Sequence, residues 1–284
     1  MIQTNKLTKY YGKSIGIEKV DLKLKKGKLY GFVGPNGAGK STTIKTLLGF
    51  LFKTSGEAYI NNFDIEKDSH KIKEFTGYTP SDVRLYENLK VNELIKYNNS
   101  FYKNNDTSKE LNRLIKLFDL EQNKKIKELS SGNKKKVSLI LAMVFNPQVL
   151  IFDEPTNGLD PIIQERFFSE LKNRTKKGVT ILLSSHNLYE IEDYADYVIF
   201  IQKGKIINHV NLNELEEYKV VTITNGSIKY IPKKQIVMKT NDTTSFRYQG
   251  DTSSLLKLLN KINPDDVVIS NKKLDKHFRD IYRW

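Results

Sequence analysis

The sequence predicts an α/β fold built on a largely parallel sheet, with a small α+β appendage at the C-terminus. Short unbroken apolar runs point to strands covered on both faces: Leu29-Tyr30-Gly31-Phe32-Val33, Val149-Leu150-Ile151-Phe152, Thr180-Ile181-Leu182-Leu183 and Tyr197 to Ile201. Between these runs, apolar residues recur at helical spacing, at Ile44, Leu47, Leu48 and Leu51 and again at Leu111, Leu114, Ile115 and Phe118. Strands that alternate with helices argue a parallel sheet with crossover helices. A change of character after about Asn213 marks the appendage.

Taken in order, Val20-Asp21-Leu22-Lys23-Leu24 alternates as a half-buried strand. The run at Leu29 to Val33 stops at Gly34 and Pro35. From about Asn88 to Phe145 the rhythm breaks into several successive helices around a polar stretch, Lys103-Asn104-Asn105-Asp106. This segment reads as a helical insertion, about 88–145. Beyond Asn213, Val220 to Thr224 and Ile236 to Thr240 alternate like strands and Leu255 to Leu259 looks helical. Val267-Val268-Ile269 and an amphipathic stretch to Trp284 complete the chain. The expected division is 1–213 for the main domain and 214–284 for an accessory domain. The sequence has no internal repeat and no low-complexity linker.

The chain has 284 residues, enough for about two domains. With 38% hydrophobic and 28% charged residues it is neither a disordered chain nor a rod. The lack of Cys excludes disulfide scaffolds, thiolate metal sites and Cys nucleophiles. A net charge of +14 suits nucleic acid, anionic lipid or a phosphorylated ligand, and equally a lysine-rich solvated surface. No apolar run approaches the ~18 residues of a membrane span, and the first residues lack the apolar core of a signal peptide. The expectation is a cytosolic protein, unless a partner holds it at a membrane.

The run Gly34-Pro35-Asn36-Gly37-Ala38-Gly39-Lys40-Ser41-Thr42 matches the phosphate-binding loop G-x-x-x-x-G-K-[ST]. It follows a buried strand and opens a helix, as the mechanism requires. Glycines let the backbone N–H groups curl toward phosphates, and the helix N-terminus adds positive potential. Lys40 is expected on the β- and γ-phosphates and Ser41 on Mg²⁺. Downstream, Val149 to Phe152 leads into Asp153-Glu154, which places two carboxylates at the C-terminal edge of the sheet. Asp153 is expected to hold Mg²⁺ and Glu154 to polarise the attacking water. These parts give a P-loop NTPase, a class that includes kinases, GTPases, helicases and transport ATPases.

Further segments carry a resemblance to one family. Leu129-Ser130-Ser131-Gly132-Asn133 resembles the Leu-Ser-Gly-Gly-Gln signature of ATP-binding cassette (ABC) proteins, ahead of a helix at Lys134 to Phe145. Pro155-Thr156-Asn157-Gly158-Leu159-Asp160 resembles the dimer-contact loop of those proteins, and Ser184-Ser185-His186 their switch histidine. Tyr11, upstream of Gly34, resembles the aromatic that stacks on adenine. The resemblance runs from Tyr11 to about Asn213. It implies a RecA-like core with an antiparallel β subdomain and a helical subdomain. It also implies two chains closing head to tail over two ATP molecules, with Ser130, Ser131 and Gly132 of each on the other's γ-phosphate. His186 then helps Glu154 position water, and Asp160 belongs to the contact between cassettes.

The resemblance implies partners as well. One is a separate transmembrane permease subunit docked on the helical insertion. The other is a second nucleotide-binding subunit, as a homodimer or a paired heterodimer. The place is then the cytoplasmic face of the membrane, and no nucleic acid is expected. The sequence departs from the family pattern at Ser131, which replaces a Gly, at Asn133, which replaces Gln, and at Ser81, where most cassettes have Gln after Pro80. Pro80-Ser81-Asp82 and the closing Leu274-Asp275-Lys276-His277-Phe278 are similar to cassettes of exporters for drugs and amphipathic or antimicrobial peptides. The side chain of Ser81, shorter than Gln, leaves water-mediated contact with Mg²⁺ as the expectation. The alternative is a soluble ABC ATPase acting on nucleic acid or ribosomes, motivated by Lys124-Lys125, Lys127 and Lys134-Lys135-Lys136.

Overall fold

The computed structural model describes residues 1–102, 107–214 and 218–272. The polar stretch Lys103 to Asp106 and the stretch from Leu274 to Trp284 lie outside the described residues. The chain divides into two compact units, with the boundary between Asn211 and Leu212.

In the first unit, strands β1 (Ile2–Tyr11), β2 (Ser14–Leu24) and β3 (Leu29–Val33) lead to helix α1 (Lys40–Leu47). Then come β4 (Ser55–Ile60), β5 (Phe63–Asp64), α2 (Ser69–Phe75) and β6 (Thr76–Thr79). Three helices follow without an intervening strand: α3 (Val91–Asn99), α4 (Ser108–Phe118) and α5 (Ser131–Met143). The unit closes with β7 (Val149–Asp153), α6 (Pro161–Lys176), β8 (Thr180–Ser185), α7 (Tyr189–Glu192), β9 (Tyr197–Gln202) and β10 (Lys205–Asn211).

Two sheets result. The larger has the order β10-β9-β3-β8-β7-β6, parallel throughout except at the β9–β10 edge. The smaller, β2-β1-β4-β5, is antiparallel. One hydrophobic core joins them: Leu7, Val20 and Leu22 of the small sheet pack with Ile44 and Leu47 of α1 and with Phe32, Ile151, Leu182 and Ile199. Phe152 points the other way, its ring 5.2 Å from that of Phe167 in α6. Covering on both faces is why β3, β7 and β8 are apolar without alternation and buried at every position.

Parallel pairing also sets the site. Val33 stands opposite Ser185, Ser184 opposite Asp153, and Phe152 opposite Thr79. The C-terminal ends of β3, β8, β7 and β6 therefore share one edge of the sheet, and the loops that leave them meet there.

The helical spacing that runs on to Leu51 is not followed. Helix α1 ends at Leu47, because Gly49 turns left-handed at φ 69° and the Phe50 N–H closes back on the Lys45 carbonyl at 2.9 Å. Helix α5 begins at Ser131 rather than Lys134, so the signature-like residues form its first turn.

The second unit carries β11 (Tyr218–Thr224), β12 (Ile236–Lys239), β13 (Thr243–Tyr248), α8 (Thr252–Ile262) and β14 (Asp266–Lys272). Its sheet, β12-β13-β11-β14, is antiparallel, and Val221, Ile223 and Phe246 pack against Leu255, Leu259 and Ile262 of α8.

Candidate nucleotide-binding site

At two positions beyond β3, Gly34 and Gly39, the chain has no room for a side chain. A Cβ on Gly34 would sit 2.3 Å from the Ile201 carbonyl oxygen. Gly39 caps α1 at φ 109°, where a Cβ would come within 2.9 Å of the Gly16 carbonyl. Between them the loop closes through an Ala38 N–H···O=C Pro35 bond of 3.1 Å. Lys40, the first residue of α1, is buried, and its Nζ donates to the carbonyls of Gly34 at 2.6 Å and Pro35 at 3.3 Å.

Strand β7 delivers the two acids. Asp153 is fully buried; its Oδ1 accepts a 2.6 Å bond from Ser184 Oγ, and its Oδ2 has no hydrogen-bond partner among the described residues. Glu154 leaves the strand at φ 49°, the left-handed region. Its N–H is held by Ser184, at 3.1 Å to Oγ and 3.3 Å to the carbonyl oxygen. That turn directs its carboxylate between two partners: Oε1 lies 3.2 Å from Lys40 Nζ and Oε2 lies 2.8 Å from His186 Nδ1. With the carboxylate ionised, Nδ1 carries the proton and donates.

Lys40, Glu154 and His186 face a cleft of about 480 Å³, and Asp153, the residue before Glu154, lies buried outside its lining. Its lining includes the loop from Pro35 to Thr42 together with Tyr11, Ser81, Glu154 and His186, all singled out by sequence. The lining also includes Ile15 and Gly16, which sequence reasoning passed over, and Asn157, which it quoted only as part of the dimer-contact loop. Tyr11 is half exposed and lies over Gly16, where a Cβ would come within 2.8 Å of its ring. Lys9 Nζ sits 5.4 Å from the ring centroid.

Other expected residues stand apart from this cleft. Ser130 caps α5, its Oγ accepting from the Asn133 N–H at 3.2 Å, and Ser131 is exposed beside it. Gly132 rests on the loop after β7, since a Cβ there would lie 2.4 Å from the Gly158 carbonyl. Asp160 caps α6 by accepting from the Ile163 N–H at 3.0 Å. Ser184 is the residue that sequence reasoning quoted without giving it a task. Its hydroxyl bonds both acids, and the signal was a serine directly after the apolar run Ile181-Leu182-Leu183.

Three of the six lysines from Lys124 to Lys136 are paired or buried. Lys124 pairs with Glu121 at 2.8 Å and Lys134 with Glu87 at 3.5 Å, while Lys135 is buried.

A buried parallel strand running into this loop, with a carboxylate pair at the end of β7, one strand beyond β8, and Glu154 of that pair beside the loop's lysine, defines a P-loop nucleoside triphosphatase. Comparisons narrow the class. The profile of the ABC transporter family matches residues 17–157. The chain is 34% identical over 267 residues to the bacitracin transport ATP-binding protein BcrA of Enterococcus faecalis, covering 89% of this chain and 82% of that protein. It is 32% identical over 211 residues to the probable multidrug ABC transporter ATP-binding protein YbhF of Escherichia coli (strain K12). That match covers 73% of this chain but only 36% of YbhF, so the chain spans about a third of that relative's length. Among solved structures, an ATP-binding subunit of an ABC transporter superposes with a TM-score of 0.72 at 28% identity, covering 75% of this chain and 91% of that one. A bacterial ABC transporter cassette solved as a dimer gives 0.69 at 25% identity, covering 75% and 99%. The chain belongs to the ABC transporter ATP-binding proteins, a family of ATPases.

Proposed function

We propose that this chain hydrolyses MgATP at the interface of two cassettes and passes their closing and opening to a separate membrane permease. The observation that carries the reading is the convergence of Lys40, Glu154 and His186 on one cleft, with Glu154 held between the other two at 3.2 Å and 2.8 Å. The β- and γ-phosphates lie along the N–H groups of the loop from Gly34 to Gly39, with Lys40 on both and Tyr11 against the adenine. Glu154 accepts a proton from water as its oxygen attacks the γ-phosphorus, and the bond to the bridging oxygen breaks to leave ADP and phosphate. His186 holds the carboxylate through Nδ1–H.

Asp153 and Ser41 suit a hard divalent cation. The buried Oδ2 of Asp153 lacks a hydrogen-bond partner among the described residues, and a hydroxyl with a carboxylate is an oxygen donor set. Bound Mg²⁺ neutralises charge that develops on the phosphate oxygens. Ser130, Ser131 and Gly132 stand away from their own cleft at the N-terminus of α5, which suits a γ-phosphate held by a second cassette. Asp160 lies in the same contact.

A groove of about 390 Å³ fits the permease. It is lined by Leu85, Leu94 and Leu141 and by Tyr86, Tyr97 and Phe101, of which Tyr86 and Phe101 are 63% and 67% exposed. An amphipathic helix of the partner would bury these rings. No helix among the described residues is long and apolar enough to cross a membrane, so the place at the cytoplasmic face depends on that partner. Drugs and amphipathic peptides are the cargo class, supported by the named roles of BcrA and YbhF and by Pro80-Ser81-Asp82. ATP binding is assigned to 1–213 and an accessory role to 214–284.

Glu154→Gln tests the reading. It is expected to bind MgATP, fail to hydrolyse it and run as an ATP-bound dimer in size-exclusion chromatography. Hydrolysis at the parental rate would remove Glu154 as the general base.

A further inference from the structure

Lys135 is a buried cation that the reaction outlined above does not use. It lies in α5, three residues beyond Gly132, and only 4% of its surface is exposed. Its Nζ donates to the carbonyls of Ser81 at 2.9 Å, Pro80 at 3.0 Å and Glu154 at 3.4 Å. An ammonium has three N–H donors, so this set engages all of them. Burial lowers the pKa of the group, while the charges of Asp153, Glu154 and Asp82 act to raise it. Burying an ammonium costs several kcal/mol, whereas an apolar side chain of similar length would fill the space without that cost.

What the three carbonyls share is the cleft. Two belong to the loop that carries Ser81 to its rim, and the third belongs to Glu154 itself. Glu154 sits at φ 49°, a region that strains a residue with a side chain and persists only where its surroundings impose it. Ser184 grips the N–H of Glu154 and Lys135 its carbonyl, so the backbone is pinned on both sides of the Cα. The direction of the carboxylate follows from that backbone.

We propose that Lys135 is a positioning residue for hydrolysis. It holds Glu154 in its left-handed conformation, thereby aiming the carboxylate, and it fastens the Ser81 loop to the helix that begins at Ser131. The inference rests on Glu154 as the general base. Loss of Lys135 leaves the phosphate loop and Lys40 in place, so it acts on the chemical step rather than on nucleotide affinity.

The test compares the full-length parent with Lys135→Met, Lys135→Gln, Lys135→Arg and Glu154→Gln. Steady-state ATPase gives kcat and KM, and calorimetry gives the MgATP Kd. Lys135→Met is expected to lower kcat by about 10- to 100-fold, the scale of a misaimed reacting group, with Kd within about twofold of the parent. Lys135→Arg keeps a charged donor and is expected to recover most of that loss. If the Met variant does not fold, Lys135→Gln, with two amide donors, is read by the same split. A parental kcat in a variant without the cation overturns the proposal. So does an equal loss of kcat and affinity, or an Arg variant no better than Met. Glu154→Gln separates the two ideas: if it is inactive while Lys135→Met turns over normally, only the role of Lys135 falls. If Glu154→Gln hydrolyses ATP normally, the general-base reading falls and takes this one with it.

Discussion

Lys40 and Ser81 both line the cleft and differ in what they can contribute. The ammonium of Lys40 is buried and already aimed by two loop carbonyls, so little ordering cost remains when phosphate arrives. Lys40→Ala is therefore expected to weaken ATP binding by about 100-fold or more, the loss of charged hydrogen bonds to two phosphates. A calorimetric titration checks it, and unchanged affinity would contradict the site. Ser81 is exposed at the rim, and its side chain is two carbons and an amide shorter than Gln. Ser81→Ala is expected to weaken MgATP binding by at most about 1 kcal/mol, one neutral hydrogen bond. Hydrolysis stimulated by the permease should fall further than basal hydrolysis, because this loop joins the cleft to the helical segment. Paired rate measurements decide, and equal loss of both rates would exclude a coupling role.

Among elements, the helices between β6 and β7 are tied to α6 by charge. Arg113 of α4 spans two acids, at 2.8 Å to Glu110 and 2.6 Å to Glu170, and Arg174 of α6 bonds Glu170 at 2.6 Å and also reaches Glu110. Arg174 further donates to the Met143 carbonyl at the end of α5, 3.2 Å away. Burial pushes the Glu110 carboxyl up, but its bond from Arg113 and the charges of Arg174 and Arg113 outweigh burial and hold it below its ordinary 4.5. A depressed carboxyl contributes stability above its unfolded pKa and loses it as pH falls through the folded one. Glu110→Gln is expected to lower stability by about 2 kcal/mol at pH 7, the scale of a hydrogen bond to a charged group. Its deficit relative to the parent should shrink as pH drops well below 4.5, where the parent loses the same charge. Denaturant melts at pH 7 and in acid measure this, and a deficit independent of pH would assign Glu110 a packing role only.

For the whole molecule, deleting 214–284 is expected to leave ATP binding measurable, because every residue of the cleft lies in the first unit, which has its own core. Calorimetry on the truncated chain tests this, and loss of binding in a well-folded truncation would refute the division. Much of this architecture was legible along the chain. The phosphate loop, the acidic pair and His186 each follow a continuous apolar run, and a buried strand followed by its loop is a local pattern. Strand β1 escaped notice because a bulge at Lys6, φ 49°, breaks its alternation, and β13 because Thr244 takes an inward place where an apolar residue was sought. The double hold of Ser184, the three carbonyls around Lys135 and the contact of Gly132 with Gly158 were not legible at all. Local periodicity decides which stretch becomes a strand or a helix and which loop can cradle phosphate. Only the register of parallel strands decides which loops meet at one edge, since a hydrogen bond between residues remote in the chain depends on a distance that neither segment encodes alone.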